Sequence, residues 1–185
     1  MKKIFAIWAA LVLMLGCAAL AEETVSSEAT SMVVYFSATG TTKAEAELIA
    51  RQTGAALYEI TPEEPYSAAD LNYNNDGCRA NCEQNDDAAR PAISGELPDL
   101  TNVDTIYLGY PIWWGKAPKI IYTFLESVDV SGKTIIPFCT SGSSGIGGSM
   151  SAIRELAKDA AVLDGRRVNN YDEKKIADCL EKIVK

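Results

Sequence analysis

The chain has 185 residues, enough for one domain with a short addition, and its 48% hydrophobic and 23% charged residues are ordinary for a folded globular protein. Acidic residues outnumber basic ones by 25 to 17, and the formal net charge of -8 argues against a nucleic-acid-binding protein, which needs a basic surface. The absence of histidine excludes a Ser-His-Asp triad, a Cys-His dyad and any histidine-ligated metal. We therefore assign no catalytic side chain and no metal site.

Residues 1–21 have the pattern of an export signal. Lys2 and Lys3 form a short basic segment, and an apolar run over residues 4–15 follows it. This run has the length of the apolar core of a signal peptide and is too short to span a bilayer comfortably.

Two cleavage sites compete within this signal. Met14-Leu15-Gly16-Cys17 is similar to a lipobox, in which Cys17 is lipidated and becomes the mature N-terminus, although the usual pattern begins with Leu. Residues 19–21 instead fit the small-residue site of ordinary secretion. We favour a lipoprotein held at the membrane surface; a secreted periplasmic or extracellular protein and an uncleaved N-terminal anchor are the alternatives.

Residues 22–31 are then a polar tether, and residues 32–185 are predicted to form the folded domain. Export permits disulfides. Beyond Cys17 the chain has four cysteines, which allow three complete pairings, and the sequence does not choose among these pairings or a reduced state. These cysteines are Cys78, Cys82, Cys139 and Cys179.

Strand and helix patterns alternate along the domain. Short apolar runs rich in β-branched and aromatic residues predict strands at residues 32–36, 56–60, 105–109, 134–139 and 161–163. Helical periodicity predicts helices at residues 42–53, 117–128, 149–158 and 172–184. Such alternation predicts an α/β fold with a parallel sheet covered on both faces, whose ligand binds beyond the carboxyl ends of the strands.

One segment interrupts this alternation. Residues 61–102, after the second strand, are polar and too long for an ordinary connection between a strand and a helix. We predict a short helix within them, over residues 81–89. The segment is interpreted as an insertion and not as a second domain.

The loop after the first strand, residues 37–42, predicts a phosphate site. It combines four hydroxyl side chains with Gly40 and with the N-terminus of the following helix. The dipole and the free backbone N–H groups at that end of a helix favour an anion, and a glycine lets the backbone approach it. The alternative is a simple Ser/Thr cap of the helix.

The loops after the third and fourth strands predict a flat ligand. Residues 109–115 place Trp113 and Trp114 in a loop bounded by glycine and proline, and a planar ring needs such apolar faces beside it. Residues 140–149 are rich in serine and glycine, which allow backbone N–H groups to approach a ligand edge. The alternatives are two core tryptophans and a flexible linker.

With these three loops, the chain from Met32 to Lys185 resembles the flavodoxins, in particular a bacterial subgroup with a Gly-Tyr-Pro-Ile-Trp-Trp loop and an insertion after the second strand. The resemblance implies the doubly wound sheet order 2-1-3-4-5, for which flavodoxin is the standard example, and FMN as the cofactor. It assigns the FMN phosphate to Ser37, Thr39, Gly40, Thr41 and Thr42. One side of the isoalloxazine ring would be lined by Pro111, Ile112, Trp113, Trp114 and Gly115. Its other edge would meet Thr140, Ser141, Gly142 and Gly145.

The chain departs from the flavodoxin pattern at one place. Many flavodoxins stack a tyrosine from the loop after the fourth strand on the ring, but this loop contains only small residues and Ile146. Either Trp113 or Trp114 is then the main stacking partner, or the outer face of the ring is open. The insertion is a further candidate for covering that face, through Tyr66, Tyr73, Arg79 and Arg90.

The resemblance implies an electron carrier whose acidic surface meets a redox protein with a basic docking face. An FMN-dependent NAD(P)H:quinone-type reductase is the second hypothesis, since an open ring face would admit a small substrate. An FMN-free binding module on the same fold is the third. Fold alone does not choose among the three.

Replacing Cys17 with serine tests the lipoprotein hypothesis. Cys17→Ser removes the thiol that carries the lipid, so the protein should move from the membrane fraction to the soluble fraction of an export-competent host. Cell fractionation followed by immunoblotting measures this. Continued membrane association of the variant would favour an uncleaved N-terminal anchor.

Overall fold

A computed structural model describes residues 30–183. The predicted export signal, Cys17, residues 22–29 of the tether and Val184 at the predicted end of the last helix lie outside the described residues. Within residues 30–183, no helix has both the length and the apolar character needed to cross a bilayer. The elements in chain order are β1 (Thr30–Tyr35), α1 (Thr41–Thr53), β2 (Ala56–Glu59), α2 (Arg79–Asn85), β3 (Val103–Pro111), α3 (Lys119–Ser127), β4 (Thr134–Thr140), α4 (Gly147–Leu156), β5 (Ala161–Val162), β6 (Arg166–Arg167) and α5 (Glu173–Ile183).

The strands form one parallel sheet in the order β2-β1-β3-β4-β5, which confirms the predicted doubly wound fold. Helices α1 and α5 pack on one face and α3 and α4 on the other, each over its own apolar cluster. The central strands β1, β3 and β4 are largely buried because both of their faces are covered, as their continuous apolar runs predict.

The fifth strand position is occupied by two short pieces instead of the single strand predicted. β5 pairs with β4 as far as Ile135, and β6 resumes the pairing at Phe138. The carbonyls of Ile135 and Cys139 accept hydrogen bonds from this edge, so Pro137, which lies between them on the same side of β4, faces the edge without an N–H to donate. The missing donor explains why the edge strand breaks there.

Two strands extend beyond their predicted ends. β1 begins at Thr30, which pairs with Val103, so the last two residues assigned to the tether belong to the sheet. β3 continues to Pro111, which pairs with Thr140. Tyr110 in this extension is fully buried, and its hydroxyl lies 2.9 Å from the Ser149 hydroxyl of α4. The loop that carries the two tryptophans therefore begins only after Pro111.

The insertion packs onto the α3/α4 face of the sheet. Its helix α2 begins and ends earlier than predicted. It ends at Asn85 because the Asp86 side chain accepts a hydrogen bond from the Ala88 amide at 2.9 Å and forms a turn there. Cys78, Ala80 and Leu100 of the insertion are buried in the main core. The insertion thus shares the main hydrophobic core of the described residues.

Gly109 in β3 provides a test of this packing. A Cβ atom at this position would overlap the ring of Phe138 on the neighbouring strand, and that ring is only 3% exposed. Gly109→Ala should therefore lower the free energy of unfolding by about 1–3 kcal/mol, the usual cost of overpacking, as measured by denaturant titration. The control is Gly147→Ala, which meets open space at the start of α4 and should leave stability unchanged or raise it. Equal stability of both variants would contradict the close packing of β3 on β4.

Candidate functional site

The three predicted loops meet at one edge of the sheet. Tyr35 at the end of β1 is in register with Gly109 of β3, which is in register with Phe138 of β4, so the chain leaves all three strands on the same side. Between the loops lies an open cleft of about 420 Å³. Its walls are formed by Thr39, Thr41, Leu71, Tyr73, Pro111, Ile112, Trp113, Thr140, Ser141, Gly142 and Asn169.

Most of the residues predicted from the loop motifs line this cleft. The remaining predicted residues lie in the same loops without contributing to its wall: Ser37, Gly40, Thr42, Trp114, Gly115 and Gly145. Leu71 and Asn169 line the cleft although no motif indicated them. Tyr73 also lines it, and among the insertion residues suggested to cover the ring it is the one that reaches the cleft wall.

The first loop has the features of an anion site. Gly40 precedes α1 with a φ of 86°, a left-handed conformation that glycine adopts without strain, and no side chain caps the helix. The backbone N–H groups of the first turn have no partner within a helix, so an uncapped N-terminus leaves them available to a ligand. The Ser37 hydroxyl of the same loop is buried without a hydrogen-bond partner. A buried hydroxyl without a partner is costly, so a ligand that reached it would gain a hydrogen-bond donor in this loop.

Lys43, the cation that follows this loop in the sequence, is paired elsewhere. Lys43 forms an exposed ion pair with Glu59 of β2, with Nζ 3.2 Å from the carboxylate. An anion in the loop would therefore be held by hydroxyls, backbone amides and the helix dipole. These groups suit a phosphate monoester that remains bound in the loop.

Thr42 has a different environment from the other hydroxyls of the loop. Its side chain is buried, and its Oγ1 atom lies 2.7 Å from the Oγ1 atom of Thr140 at the end of β4. This contact joins the first loop to the third. Thr42 thus holds two walls of the cleft together from behind.

Trp113 forms an apolar wall of the cleft and is itself only 5% exposed. Its indole makes edge-to-face contacts with Phe36 and Tyr66, with ring centroids 5.5 and 5.0 Å away. Tyr66 belongs to the insertion, and the guanidinium of Arg79 lies over its ring at 4.2 Å. Tyr66 and Arg79 therefore support Trp113 from behind and do not cover the cleft. Arg90 is paired instead with Glu126 of α3.

Trp114 lies in a strained turn. Its φ is 45° and that of Gly115 is 79°, and the backbone N–H and carbonyl of Trp113 exchange hydrogen bonds of 3.0 Å with those of Lys116. Positive φ at both central residues is typical of a type I′ turn, and for a residue as bulky as tryptophan it costs about 1–3 kcal/mol. The turn directs the indole outward onto the Tyr73 ring, with centroids 4.3 Å apart and planes inclined by 24°.

The third loop is held by Asn169, which follows β6. The Asn169 side chain accepts a hydrogen bond from the Ser141 amide at 3.0 Å and donates one to the Ser141 carbonyl at 2.5 Å. Two residues later, the Tyr171 amide donates to the buried carboxylate of Glu45 on α1 at 3.2 Å. The backbone at Ser141 is thereby fixed between β6 and α1.

The cleft wall is electrically neutral. None of the described residues that line it is a carboxylate, lysine, arginine or cysteine. Burial raises the pKa of the Tyr73 hydroxyl, so this group stays protonated at neutral pH. Burial also raises the pKa of the Cys139 thiol to about 12, so this core cysteine stays a protonated thiol at neutral pH. Among residues 30–183 no cluster of metal-ligating side chains occurs, and Cys78, Cys82, Cys139 and Cys179 are free.

Solved structures similar to this chain are flavoproteins. A candidate flavoprotein from Bacteroides eggerthii has 42% sequence identity and a TM-score of 0.81, with 85% of this chain and 99% of that chain covered. A second candidate flavoprotein, from Bacteroides uniformis, has 40% identity and a TM-score of 0.80, with 83% and 98% covered. A flavoprotein from Lactobacillus acidophilus, crystallised in complex with FMN, has 25% identity and a TM-score of 0.66, with 85% and 100% covered.

No curated protein sequence matches the chain. The model of the flavodoxin family matches residues 30–183, which are all of the residues that the structure describes. The sheet order and the position of the cleft agree with this match. The chain belongs to the flavodoxin family.

Proposed function

We propose that this protein binds FMN in the cleft and carries electrons between redox partners. The observation that carries the proposal is the loop before the uncapped N-terminus of α1. Its Ser37 hydroxyl is buried without a partner, and its Thr39 and Thr41 line the same cleft as Trp113. A phosphate attached to a flat ring would satisfy both parts of this site at once. The similar structure of the Lactobacillus acidophilus flavoprotein, which was crystallised with FMN, supports the choice of FMN.

The phosphate of FMN would be held by the first loop. Ser37, Thr39 and Thr41 offer hydroxyl donors, and the uncapped N-terminus of α1 adds free backbone amides and the positive end of the helix dipole. Hydrogen bonds to a charged group are stronger than those between neutral groups, so this loop does not need a cation.

The isoalloxazine ring would occupy the apolar part of the cleft. Trp113 and Ile112 supply apolar wall on the side of β3, and the backbone at Ser141 and Gly142, held by Asn169, approaches from the side of β4. Walls fixed by hydrogen bonds and ring contacts lower the entropy lost on binding. When bound, FMN supplies one- and two-electron redox chemistry, and the protein orients it and excludes water.

The neutral lining of the cleft favours a carrier over a reductase. A reductase that acts on a small molecule commonly needs a positioned proton donor, and its pKa should lie near the working pH. Tyr73 is the ionisable side chain of the wall, and burial moves its pKa away from neutrality. The net charge of -8 would in addition steer the protein toward a partner with a basic face.

An absorbance spectrum of the purified domain, recorded with and without added FMN, tests the proposal. We expect bound flavin bands, and we expect the bound flavin to stay oxidised for minutes after addition of NADH or NADPH under anaerobic conditions. Bleaching within seconds by either nucleotide would contradict the carrier assignment in favour of the reductase. If the protein does not bind FMN, both the carrier and the reductase hypotheses are overturned, and a binding module on this fold is favoured.

Removing the Ser37 hydroxyl tests the phosphate site separately. Ser37→Ala should weaken FMN binding by about 1.5–3 kcal/mol, the contribution of a hydrogen bond to a charged group, as measured by flavin fluorescence titration. Riboflavin has no phosphate, so its affinity should be the same for variant and wild type. The control is Ser127→Ala, an exposed serine on α3 that donates to the Thr123 carbonyl and should leave both affinities unchanged. Equal loss of FMN and riboflavin affinity in Ser37→Ala would refute a phosphate-specific role.

A further inference from the structure

We infer that Tyr73, presented by the insertion and backed by Trp114, is the aromatic ring that covers the outer face of the bound isoalloxazine. The assignment rests on the proposed binding of FMN and gives the insertion a direct part in it. Many flavodoxins supply an aromatic side chain for this face from the loop after the fourth strand. Residues 141–146 contain none here, and the aromatic residue that faces the cleft in addition to Trp113 is Tyr73 of the insertion.

Tyr73 lies where a ring that covers the outer face of the isoalloxazine is needed. It lines the same cleft as Trp113, and it is 54% exposed although one side of its ring is covered by Trp114. Trp113 is buried and fixed from behind by two other aromatic rings. Among the described residues that line the cleft, Tyr73 and Trp113 are the aromatic ones, one on the insertion and one on the loop after β3.

Tyr73 is held in place by a chain of turns. The side chain of Asn72 accepts a hydrogen bond from the backbone amide of Asn74 at 3.1 Å. The backbone carbonyl of Asn72 accepts another from the backbone amide of Asn75 at 2.9 Å. The Asn75 carbonyl in turn accepts a hydrogen bond from the amide of the buried Cys78, also at 2.9 Å. The backbone of the segment that carries Tyr73 is therefore tied to the core, so this segment loses little freedom when a ligand binds.

The conformation of Trp114 also fits this assignment. A tryptophan that served only the core would be buried, whereas Trp114 is 36% exposed and adopts a left-handed backbone that few L-residues tolerate. This costly conformation places the indole against the face of Tyr73. Strained backbone is concentrated at functional sites, and here the strain serves to fix the ring that lines the cleft.

An outer ring supplied by the insertion has a chemical consequence. With both faces covered, a second flat molecule such as a quinone or a nicotinamide cannot stack on the flavin. Electron exchange would then proceed through the exposed edge of the ring with a docked protein. The insertion would thus determine which class of partner the flavin can serve.

Flavin fluorescence titration of Tyr73 variants tests the assignment. Tyr73→Ala should raise the dissociation constant of FMN by roughly five- to hundredfold, as expected for loss of one stacked aromatic ring. Riboflavin affinity should fall by the same factor, because the contact is with the ring and not with the phosphate. Tyr73→Phe keeps the ring and should stay within about threefold of wild type. Tyr73→Leu keeps apolar bulk without an aromatic face and carries the test if the alanine variant does not fold.

Leu97→Ala is the matched control, since Leu97 is an exposed apolar residue of the same insertion that does not line the cleft, and FMN affinity should be unchanged. Because Trp114 acts through Tyr73, the double variant Tyr73→Ala/Trp114→Ala should bind FMN as Tyr73→Ala does. Wild-type FMN affinity in Tyr73→Ala and Tyr73→Leu would overturn the assignment and leave the proposed function intact. Failure of the wild-type protein to bind FMN would instead overturn the proposed function itself.

Discussion

The side-chain amide of Gln84 donates hydrogen bonds to two backbone carbonyls, that of Trp113 at 2.9 Å and that of Ala117 at 3.2 Å. These carbonyls lie at the two ends of the turn that carries Trp114, so a single buried side chain fixes the shape of this loop. Gln84 belongs to α2 of the insertion, and its own carbonyl oxygen is buried without a partner. Such an unsatisfied group costs about 1–3 kcal/mol, which the rest of the packing must offset.

The other two loops are fixed in the same manner, by contacts between residues far apart in the sequence. The Thr42 and Thr140 hydroxyls join the first loop to the end of β4, and Asn169 holds the backbone of Ser141. Each wall of the cleft is thus supported by a contact from a distant part of the chain. Support of this kind preorganises a binding site, because the protein does not have to order its loops when the ligand arrives.

The sequence predicts the fold and the three loops well, because both depend on local patterns. Apolar runs and helical periodicity identify the main elements, and parallel strands necessarily bring the loops that follow them to one edge. β6 has two residues and therefore no periodicity to detect. Nothing in the sequence therefore indicated a role for Asn169, which follows β6 in the chain. The role of Gln84 and the place of Tyr73 depend on how the insertion folds back, which is set by contacts across the chain and not by local sequence. The strained turn at Trp114 was equally hidden, since a tryptophan does not indicate a positive φ.

The break in the edge strand opposite Pro137 bears on how the molecule behaves at high concentration. An uninterrupted edge strand offers a row of unpaired N–H and carbonyl groups onto which a second chain can add, and proteins avoid this by keeping such edges short or irregular. Here one edge of the sheet consists of two pieces of two residues each, and the other edge, β2, has four residues. Both edges are therefore short, and the one opposite Pro137 is also interrupted. Pro137, which is buried in β4, thus interrupts this edge in the way that natural sheets use to discourage edge-to-edge association.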